Sequence, residues 1–457
     1  MKIIKLNTLL MLLVFLLGST GLSAQSWSTL GNGMDDYVNA IAEFNGDIIA
    51  GGSFVTADGL TVNNIARWDG TSWHAMGVGM NGQVDALIVY NGALIAGGRF
   101  LKAGGNPVNF IARWDGTSWT ALHTGTDNYV TCLAVYNGKL IAGGYFSVAT
   151  TVANFIAQWD GTSWSNVGSG MGGAQAQVMA LSVYGSDLIA GGYFTLAGGV
   201  SVGHIAKWNG TAWSGLDGGI DNIVFSLTTY GSKLYAGGLF DHAGGLSAKS
   251  IAAWDGTSWS PLGAGIGGSV ALNVMALQVY NNRLIVGGLF QTAGGITVNS
   301  VARWDGSNWS ALGNGVTYGG ATSNINALAA IGSELIAGGV FDMAGLVNAN
   351  YIAHWTEPPV GIETPVFSGS ADFSLSQNYP EPCRAATTIS FQIPSSAAVK
   401  LAVYDGSGRE IAILLDENLT AGSHAVVCKT ADYPAGFYFY RLQHNQRLLC
   451  RKMCVVN

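Results

Sequence analysis

All 14 tryptophans of this 457-residue chain fall on one internal repeat, and their spacing leaves few architectures open. The first of each pair are Trp68, Trp114, Trp159, Trp208, Trp254, Trp304 and Trp355. The second are Trp73, Trp119, Trp164, Trp213, Trp259 and Trp309, each five residues on. Trp355 has no follower, because HWTEPPV breaks the pattern. The missing member stands at the other end, where Trp27 in QSWSTLGNG reads like the SW…LG segments elsewhere. A solenoid needs no such permutation. A closed ring of small sheets uses it to fasten its last sheet with a strand from the opposite terminus.

One repeat, Val84 to Gly125, contains four short strand-like runs. The first, VDALIVY, ends at a two-residue turn: Asn-Gly at Asn45-Gly46, Asn91-Gly92 and Asn137-Gly138, Gly-Ser at Gly185-Ser186, Gly231-Ser232 and Gly332-Ser333. These are type I′ and II′ hairpin signals. LIAGG, IARW and TSWxxLG supply the other strands, with Asp-Gly (Asp69-Gly70, Asp115-Gly116) between the last two. If Asp69-Gly70 is itself a two-residue turn, Trp68 opposes Thr71 and Ala66 opposes Trp73, which puts both tryptophans on one side of the sheet. Blades of a ring diverge outward, so Ala50-Gly51-Gly52 fits near the axis and Trp68 and Trp73 toward the rim. The tryptophans are read as core, not as a ligand-stacking ladder. The fold class is all-β: a seven-bladed β-propeller, residues 25–356, closed by an N-terminal strand.

The Gly-Gly doublet ending the second strand, with aromatics on the third and fourth, resembles the kelch type of propeller from Trp27 to Trp355. It departs in placing Trp where that family has Tyr on the third strand. The pattern looks closer to bacterial extracellular IARWDGTSW repeats and, more distantly, to fungal Rax2-like propellers. These resemblances imply a fold and surface binding, and carry no catalytic residues.

The N-terminus carries Lys2 and Lys5, an apolar stretch Leu9 to Leu17 and a small-residue tail to Ala24. That is a secretory signal, residues 1–24, and no transmembrane segment is expected after its cleavage. From Gln25 to Ala371 there are 20 acidic and 10 basic residues, a balance that argues against nucleic acid as a partner. Cys132 sits in a slot held by Ala40, Ala86 and Ala180 and reads as a buried thiol. Cys383, Cys428, Cys450 and Cys454 lie near the C-terminus, and export permits disulfides among them in three full pairings.

Comparing the repeats with each other separates scaffold from decoration. The step from the Ala40 slot to the Ala50 slot is ten residues in all seven, and the next step, to Trp68, is eighteen in six. The step from the fourth-strand Trp to the next Ala40 slot is thirteen in four repeats but sixteen, seventeen and eighteen in the others. The extra length falls in Gly168–Gln177, Gly263–Asn273 and Gly313–Asn324. These inter-blade loops share a face with the loops between second and third strands, so that face is the expected working surface. The residue four before each third-strand Trp also varies there: Asn64, Phe110, Phe155, His204, Ser250, Ser300, Tyr351. Tyr37, Tyr129 and Tyr318 lie in the inter-blade loops. The candidate ligand-binding residues are therefore Tyr37, Phe110, Tyr129, Phe155, Tyr318 and Tyr351, as platforms for sugar rings or a protein partner.

Asp35, Asn81, Asp127 and Asp221 share one slot in the short loops. Oxygen ligands there could hold Ca²⁺, but local Asx-turns are the preferred account. His204, Asp241 and His242 lie on neighbouring loops without a zinc-ligand spacing. No GxSxG, HExxH, P-loop or special acidic pair occurs, and no cofactor is expected. Galactose oxidase has a kelch-type ring, but its copper ligands have no counterpart here. A binding module is favoured; a secreted polysaccharide lyase or hydrolase with its site on the loop face or axial channel is the alternative.

After Trp355 the repeat stops. Residues 357–372 are rich in Pro, Gly and Ser and read as a linker. Alternating strands follow, separated by turn signals, and residues 373–457 are expected to form a small Ig-like β-sandwich. This segment resembles, over its whole length, the type A sorting domain of the bacterial type IX secretion system. The carrying residues are LSQNYPEP (Leu375 to Pro382), TTISFQIP (Thr387 to Pro394), VYDGSGREIAILL (Val403 to Leu415), AGSH (Ala421 to His424), YPAGFYFYRL (Tyr433 to Leu442) and RKMCVV (Arg451 to Val456). It departs at Cys383-Arg384 and in its four cysteines. The resemblance implies a Bacteroidetes-like diderm host, the type IX machinery as partner through residues 373–457, and delivery to the medium or the outer-membrane surface. Deleting residues 373–457 is expected to leave a folded repeat region behind the outer membrane, read by cell fractionation. Normal surface delivery of the truncated chain would remove the sorting assignment.

Overall fold

The computed structural model describes residues 26–148, 153–269 and 272–357, and in the C-terminal part 373–378, 383–405, 409–431, 433–444 and 447–456. The signal segment, the linker from residue 358, Val270-Ala271 and two pieces of the sorting motifs (379–382, 406–408) lie outside them. The chain divides into two compact units, Met1–Pro358 and Pro359–Asn457. Among the described residues no helix is long and apolar enough to cross a membrane.

Among its described residues the first unit holds eight four-stranded antiparallel sheets: a small one on the loop face, Val316–Tyr318, Ala321–Thr322, Met343–Ala344 and Val347–Asn348, and seven blades in chain order. In the first, Val38–Phe44, Asp47–Gly52, Ile65–Trp68 and Trp73–Ala75 follow one another outward. The last is built from Asn324–Ile331, Glu334–Val340, Ile352–Thr356 and Ser26–Thr29. Its outer strand comes from the other terminus, with Trp27 paired to Trp355. The ring closes because one hydrophobic core takes Val38, Ala50 and Trp73 from the first blade and Ile336 and Ile352 from the last.

Inner strands need small residues. A Cβ on Gly51 would lie 2.5 Å from Val84 Cγ1 of the next blade, and one on Gly52 would lie 2.0 Å from the Tyr37 carbonyl oxygen. The first Gly of the doublet therefore lets neighbouring blades approach at the axis, and the second leaves room for the Tyr37 carbonyl of its own blade. Every first strand carries a one-residue irregularity after its first Val or Ile, as between Val38 and Ala40. The skipped residues are Asn39, Asp85, Thr131, Met179, Phe225, Met275 and Asn326. A bulge re-aims its side chain, and six of these seven line an axial cavity of about 230 Å³.

The first hairpin turns are two residues long, as the pairing of Phe44 with Asp47 requires, and Asn45 and Gly46 both have positive φ. The outer turn is not what its Asp-Gly suggests. Trp68 pairs directly with Trp73, and Ala66 with Ala75, so four residues, Asp69 to Ser72, make the turn. The expected register, with Trp68 opposite Thr71, is wrong by two residues. The cause is the carboxylate of Asp69, which accepts bonds from Thr71 N (2.9 Å), Thr71 Oγ1 (2.7 Å) and Ser72 N (2.9 Å). These bonds hold the Asp69 carboxyl well below the usual carboxylate range, and the same capping recurs at Asp115, Asp160 and Asp255. Both tryptophans still share one side, now as facing neighbours with ring centroids 5.3 Å apart.

The fourth-strand indoles bind blade to blade. Trp73 Nε1 donates to the Leu30 carbonyl (2.9 Å), Trp119 to Met76 (2.9 Å), Trp164 to Leu122 (3.3 Å), Trp213 to Val167 (2.9 Å) and Trp309 to Leu262 (3.0 Å). Trp27 closes the circuit by donating to Leu312 (3.0 Å). The indole of Trp259 has no acceptor. Its blade follows Leu216-Asp217-Gly218, where the Gly after Leu in most repeats is replaced; the left-handed residue moves to Gly218 and the loop is re-shaped.

The second unit is a two-sheet β-sandwich. One sheet has Ser374–Leu375, Ala386–Ile393 and Gly422–Lys429; the other has Glu410–Leu419, Ala397–Tyr404, Gly436–His444 and Arg447–Val455, in that spatial order. Its core joins Ile389, Phe391, Leu401, Val403, Tyr440 and Met453. Cys383 and Cys428 are buried in that core, and burial pushes the Cys428 thiol up.

The closure strand supplies a test of the ring. Replacing Trp27 by Phe removes one buried hydrogen bond and is expected to cost about 1–2 kcal/mol; replacing it by Ala also opens a cavity and is expected to cost about 3–5 kcal/mol. Urea melts of the purified full chain read both. Equal stability of all three proteins would mean that the terminal strand does not hold the ring shut.

Candidate functional site

The loop face is built from two loop sets that hydrogen-bond each other. In six of the seven blades the described second-to-third-strand loop folds as a small hairpin, such as Thr56–Ala57 with Leu60–Thr61. Three of the four short inter-blade loops dock on the following hairpin by one bridge: Met34 on Ala57, Met80 on Ala103, Ile220 on Ala243. The long loops do the same through Met171–Gly172, Ile266–Gly267 and Val316–Tyr318.

The shared Asp/Asn slot secures that docking. Asp35 Oδ1 accepts from Val55 N (2.8 Å) and Thr56 N (2.9 Å); Asn81 Oδ1 accepts from Leu101 N and Lys102 N; Asp127 accepts from Ser147 N and Ser147 Oγ. Asp221 takes Asp241 N and lies 2.8 Å from His242 Nδ1. The expected local Asx-turn is replaced by a bond to a loop twenty residues on. A side chain that caps backbone amides across two loops is worth more to the fold than one that closes its own turn, because it fixes both. His204, expected beside Asp241 and His242, stacks on Tyr193 at 5.7 Å, and burial pushes its imidazole down. Among the described residues no three His, Cys, Asp or Glu are placed to hold a metal ion.

The variable residue four before each third-strand Trp has a backbone role that the sequence did not show. Asn64, Phe110, Phe155, His204, Ser250, Ser300 and Tyr351 all have φ between 56° and 71°. Their carbonyls and amides splice the second strand to the third: Gly98 N donates to Phe110 O, and Phe110 N donates to Phe100 O, both at 3.0 Å. A left-handed conformation costs about 1–2 kcal/mol for a residue other than Gly. Yet no repeat uses Gly here.

The aromatic candidates form three separate groups. Tyr351 lies between Tyr37 (6.0 Å) and Tyr318 (6.4 Å) where the last blade meets the first. Phe110 packs edge-on against Tyr129 at 5.7 Å, and the Arg99 guanidinium lies 5.1 Å over the Tyr129 ring. Phe155 meets Tyr145 at 5.9 Å. Tyr37, Tyr129 and Tyr318 are 44%, 38% and 48% exposed, so each ring keeps a free face. Sequence comparison missed Arg99, Tyr145 and Tyr193, which share the slot after the Gly-Gly doublet and could have been found by the same comparison.

Behind this rim lies the axial cavity, with a polar arc of Asn326, Asp85 and Thr131 and an apolar arc of Met179, Phe225 and Met275. Asp85 joins rim and axis: Arg99 Nε donates to it at 3.1 Å, and Gln83 also donates. Burial pushes the Asp85 carboxyl up, against the pull of Arg99. Another depression of about 370 Å³ on the loop face, lined by Asn222, Leu239, Asp241, Lys249 and Leu272, contains none of the expected aromatics.

Residues 12–187 match the Rax2 C-terminal beta propeller domain, and residues 377–456 match the secretion system C-terminal sorting domain. The chain is thus a β-propeller protein with a type IX sorting domain, and it is secreted or displayed on the cell surface. It engages the type IX secretion machinery through that domain. Comparison with curated proteins found no match.

Three solved structures are similar at a distance. PorZ, described as an essential bacterial surface component of the type IX secretion system of Porphyromonas gingivalis, is 14% identical with a TM-score of 0.41, covering 93% of this chain and 60% of PorZ. A fungal alcohol oxidase of the AA5 family, in complex with copper, is 11% identical with a TM-score of 0.43, covering 95% and 100%. A Bacteroides thetaiotaomicron protein of unknown function is 10% identical with a TM-score of 0.35, covering 73% and 98%. This chain spans about three-fifths of PorZ's length.

Cys132 tests how tightly the axial wall is packed. Its Sγ lies 3.7 Å from the Val178 carbonyl oxygen, and burial pushes the thiol up to about 12. Cys132 is only partly buried and lines the axial cavity, so the raised thiol, which disfavours the reactive thiolate, is what limits its reactivity. Iodoacetamide is expected to leave Cys132 unmodified in the native chain and to label it fully in denaturant, read by peptide mass spectrometry. Rapid labelling of the native protein would show an open wall.

Proposed function

We propose that the loop face binds carbohydrate and that the chain is a surface or secreted binding module rather than an enzyme. The observation that carries this reading is the Tyr37–Tyr351–Tyr318 group. Three phenol rings are gathered at one seam on loops whose backbones are pinned, with two rings about half exposed. Aromatic faces beside hydroxyls suit the apolar and polar sides of a sugar ring, and a pre-ordered platform lowers the entropic cost of binding. The groups at Phe110–Tyr129 and Phe155–Tyr145 extend the same chemistry along the rim. Support against hydrolysis comes from the use already made of the acidic residues. Asp35, Asp127 and Asp221 cap loop amides, and Asp85 is held by Arg99 and Gln83. A pair of carboxylates free to act as acid and base is what glycoside hydrolysis needs.

A glycan array probed with the full chain supplies the ligand. Against the best glycan, Tyr37→Ala and Tyr318→Ala are each expected to lose at least tenfold in affinity, about 1.4 kcal/mol. Replacing Gly168–Gln177, Gly263–Asn273 and Gly313–Asn324 with the short Gly33–Val38 loop is expected to keep the fold and abolish binding. Lys139→Ala, beside a hairpin turn on the opposite face, is expected to change nothing. If the tyrosine and loop variants bind normally while Lys139→Ala does not, the working face is the other one.

A further inference from the structure

The face of tight turns has its own inter-blade lock; two seams lack its hydrogen bond, and one of those lacks the ring as well. The last residue of the first strand is Tyr in five blades, and its hydroxyl donates to the second turn residue of the next blade's hairpin. Tyr90 reaches Gly138 O (3.1 Å), Tyr136 Ser186 O (3.0 Å), Tyr184 Ser232 O (2.9 Å), Tyr230 Asn282 O (2.8 Å) and Tyr280 Ser333 O (2.8 Å). The Tyr136 and Tyr184 hydroxyls also lie against Gly210 and Gly256, in the outer turn of the next blade. The first blade has Phe44, which keeps the ring and loses the hydroxyl. The seventh has Ile331, which loses both.

At that seam the counterparts of the two contacts are Gly46 and Gly70. A cavity of about 320 Å³ opens there, bounded by Ile331, Gly46, Gly70, Trp68, Glu334 and His354, with Asp69 at its edge. It is the space a tyrosine ring takes up at five other seams, with the hairpin carbonyl left at its end. Acidic side chains border this pocket, as Asp187 and Asp255 occupy the same two slots at the Tyr184 seam. Glu334 Oε2 lies 3.0 Å from His354 Nδ1 and Asp69 Oδ2 lies 2.7 Å from His74 Nε2, while the Glu334 and Asp69 side chains are 36% and 31% exposed, so both carboxylates border solvent.

We propose that this pocket binds a small phenolic amine. The ring would occupy the vacated tyrosine position against Ile331 and Trp68, its hydroxyl would donate to the carbonyl of Gly46, and its ammonium would face Glu334 and Asp69. Each part of the ligand answers a part of the wall: an apolar slot, a carbonyl that accepts a phenol hydroxyl in the sister seams, and two carboxylates beside an indole. The site is on the opposite face from the tyrosine platform and does not depend on it.

Tyramine is the probe, titrated calorimetrically into the full chain. Saturable binding at one site is expected, with p-cresol and phenethylamine each at least fivefold weaker because each lacks one polar end. Ile331→Tyr refills the slot from within and is expected to cut tyramine affinity at least tenfold while raising the melting temperature. Ile331→Phe serves the same purpose if the hydroxyl is poorly placed, and Glu334→Gln, at the exposed edge, is expected to reduce tyramine affinity to that of p-cresol. No saturable binding, unchanged binding by a folded Ile331→Tyr or Ile331→Phe protein, or phenethylamine matching tyramine would each overturn the proposal.

Discussion

The ring stands on one repeated contact: an indole N–H from the outermost strand of a blade reaching the carbonyl that follows the outermost strand of the blade before. It does two jobs at once. The indole body fills the wedge that opens between diverging blades, and its one polar atom satisfies a carbonyl that burial would otherwise strand. Because Trp27 makes this contact with Leu312, the N-terminal strand is a full member of the circuit. The contact depends on a short turn whose first residue after Leu adopts a left-handed backbone. Gly31 and Gly263 meet this demand cheaply, His123 accompanies the longest bond of the set, and at Asp217 the turn shifts and the Trp259 indole is left without an acceptor.

The two faces of the ring solve the same problem with different chemistry. On the tight-turn face, chain reversal is finished within the hairpins and a tyrosine hydroxyl ties five of the seven seams. On the loop face, carboxylates and amides tie loops that lie far apart in sequence. The second solution leaves side chains pointing outward from a pinned backbone. The left-handed slot shows what that permits: Phe110, Phe155 and Tyr351 keep a conformation that Gly would adopt more cheaply, and each places a ring against an exposed tyrosine. Strain at such a position persists because its neighbours over-determine it.

The sorting domain contributes a different kind of information. Its sandwich has its own core and its own polar anchor, the Tyr440 hydroxyl, which donates to Ser376 O and accepts from Asn378 N, both at 2.8 Å. A unit that folds around its own core can carry an address without contributing to the activity of what it delivers. Export can therefore be read from the sorting domain's own residues, apart from the ring.

The sequence alone determined the all-β class, the seven-fold repeat, the role of Trp27 and the sorting module, because each is written as a period or a multi-part motif. The first hairpins were legible too, since Asn-Gly and Gly-Ser turns demand positive φ at defined places. What only the tertiary structure decided were distances between residues that share no local pattern. The Trp68–Trp73 register turned on whether a carboxylate or a type I′ geometry governs Asp69-Gly70, and four-residue capping won. The bulged residues Asp85 and Thr131 face the axis because a ring must curve, which no period-two pattern records. Tyr37 and Tyr351 meet only because the ring closes. Ile331 opens a cavity only because the five tyrosines in its slot turn out to be bridges between blades. A repeat states which residues are equivalent; the closed ring decides what that equivalence is for.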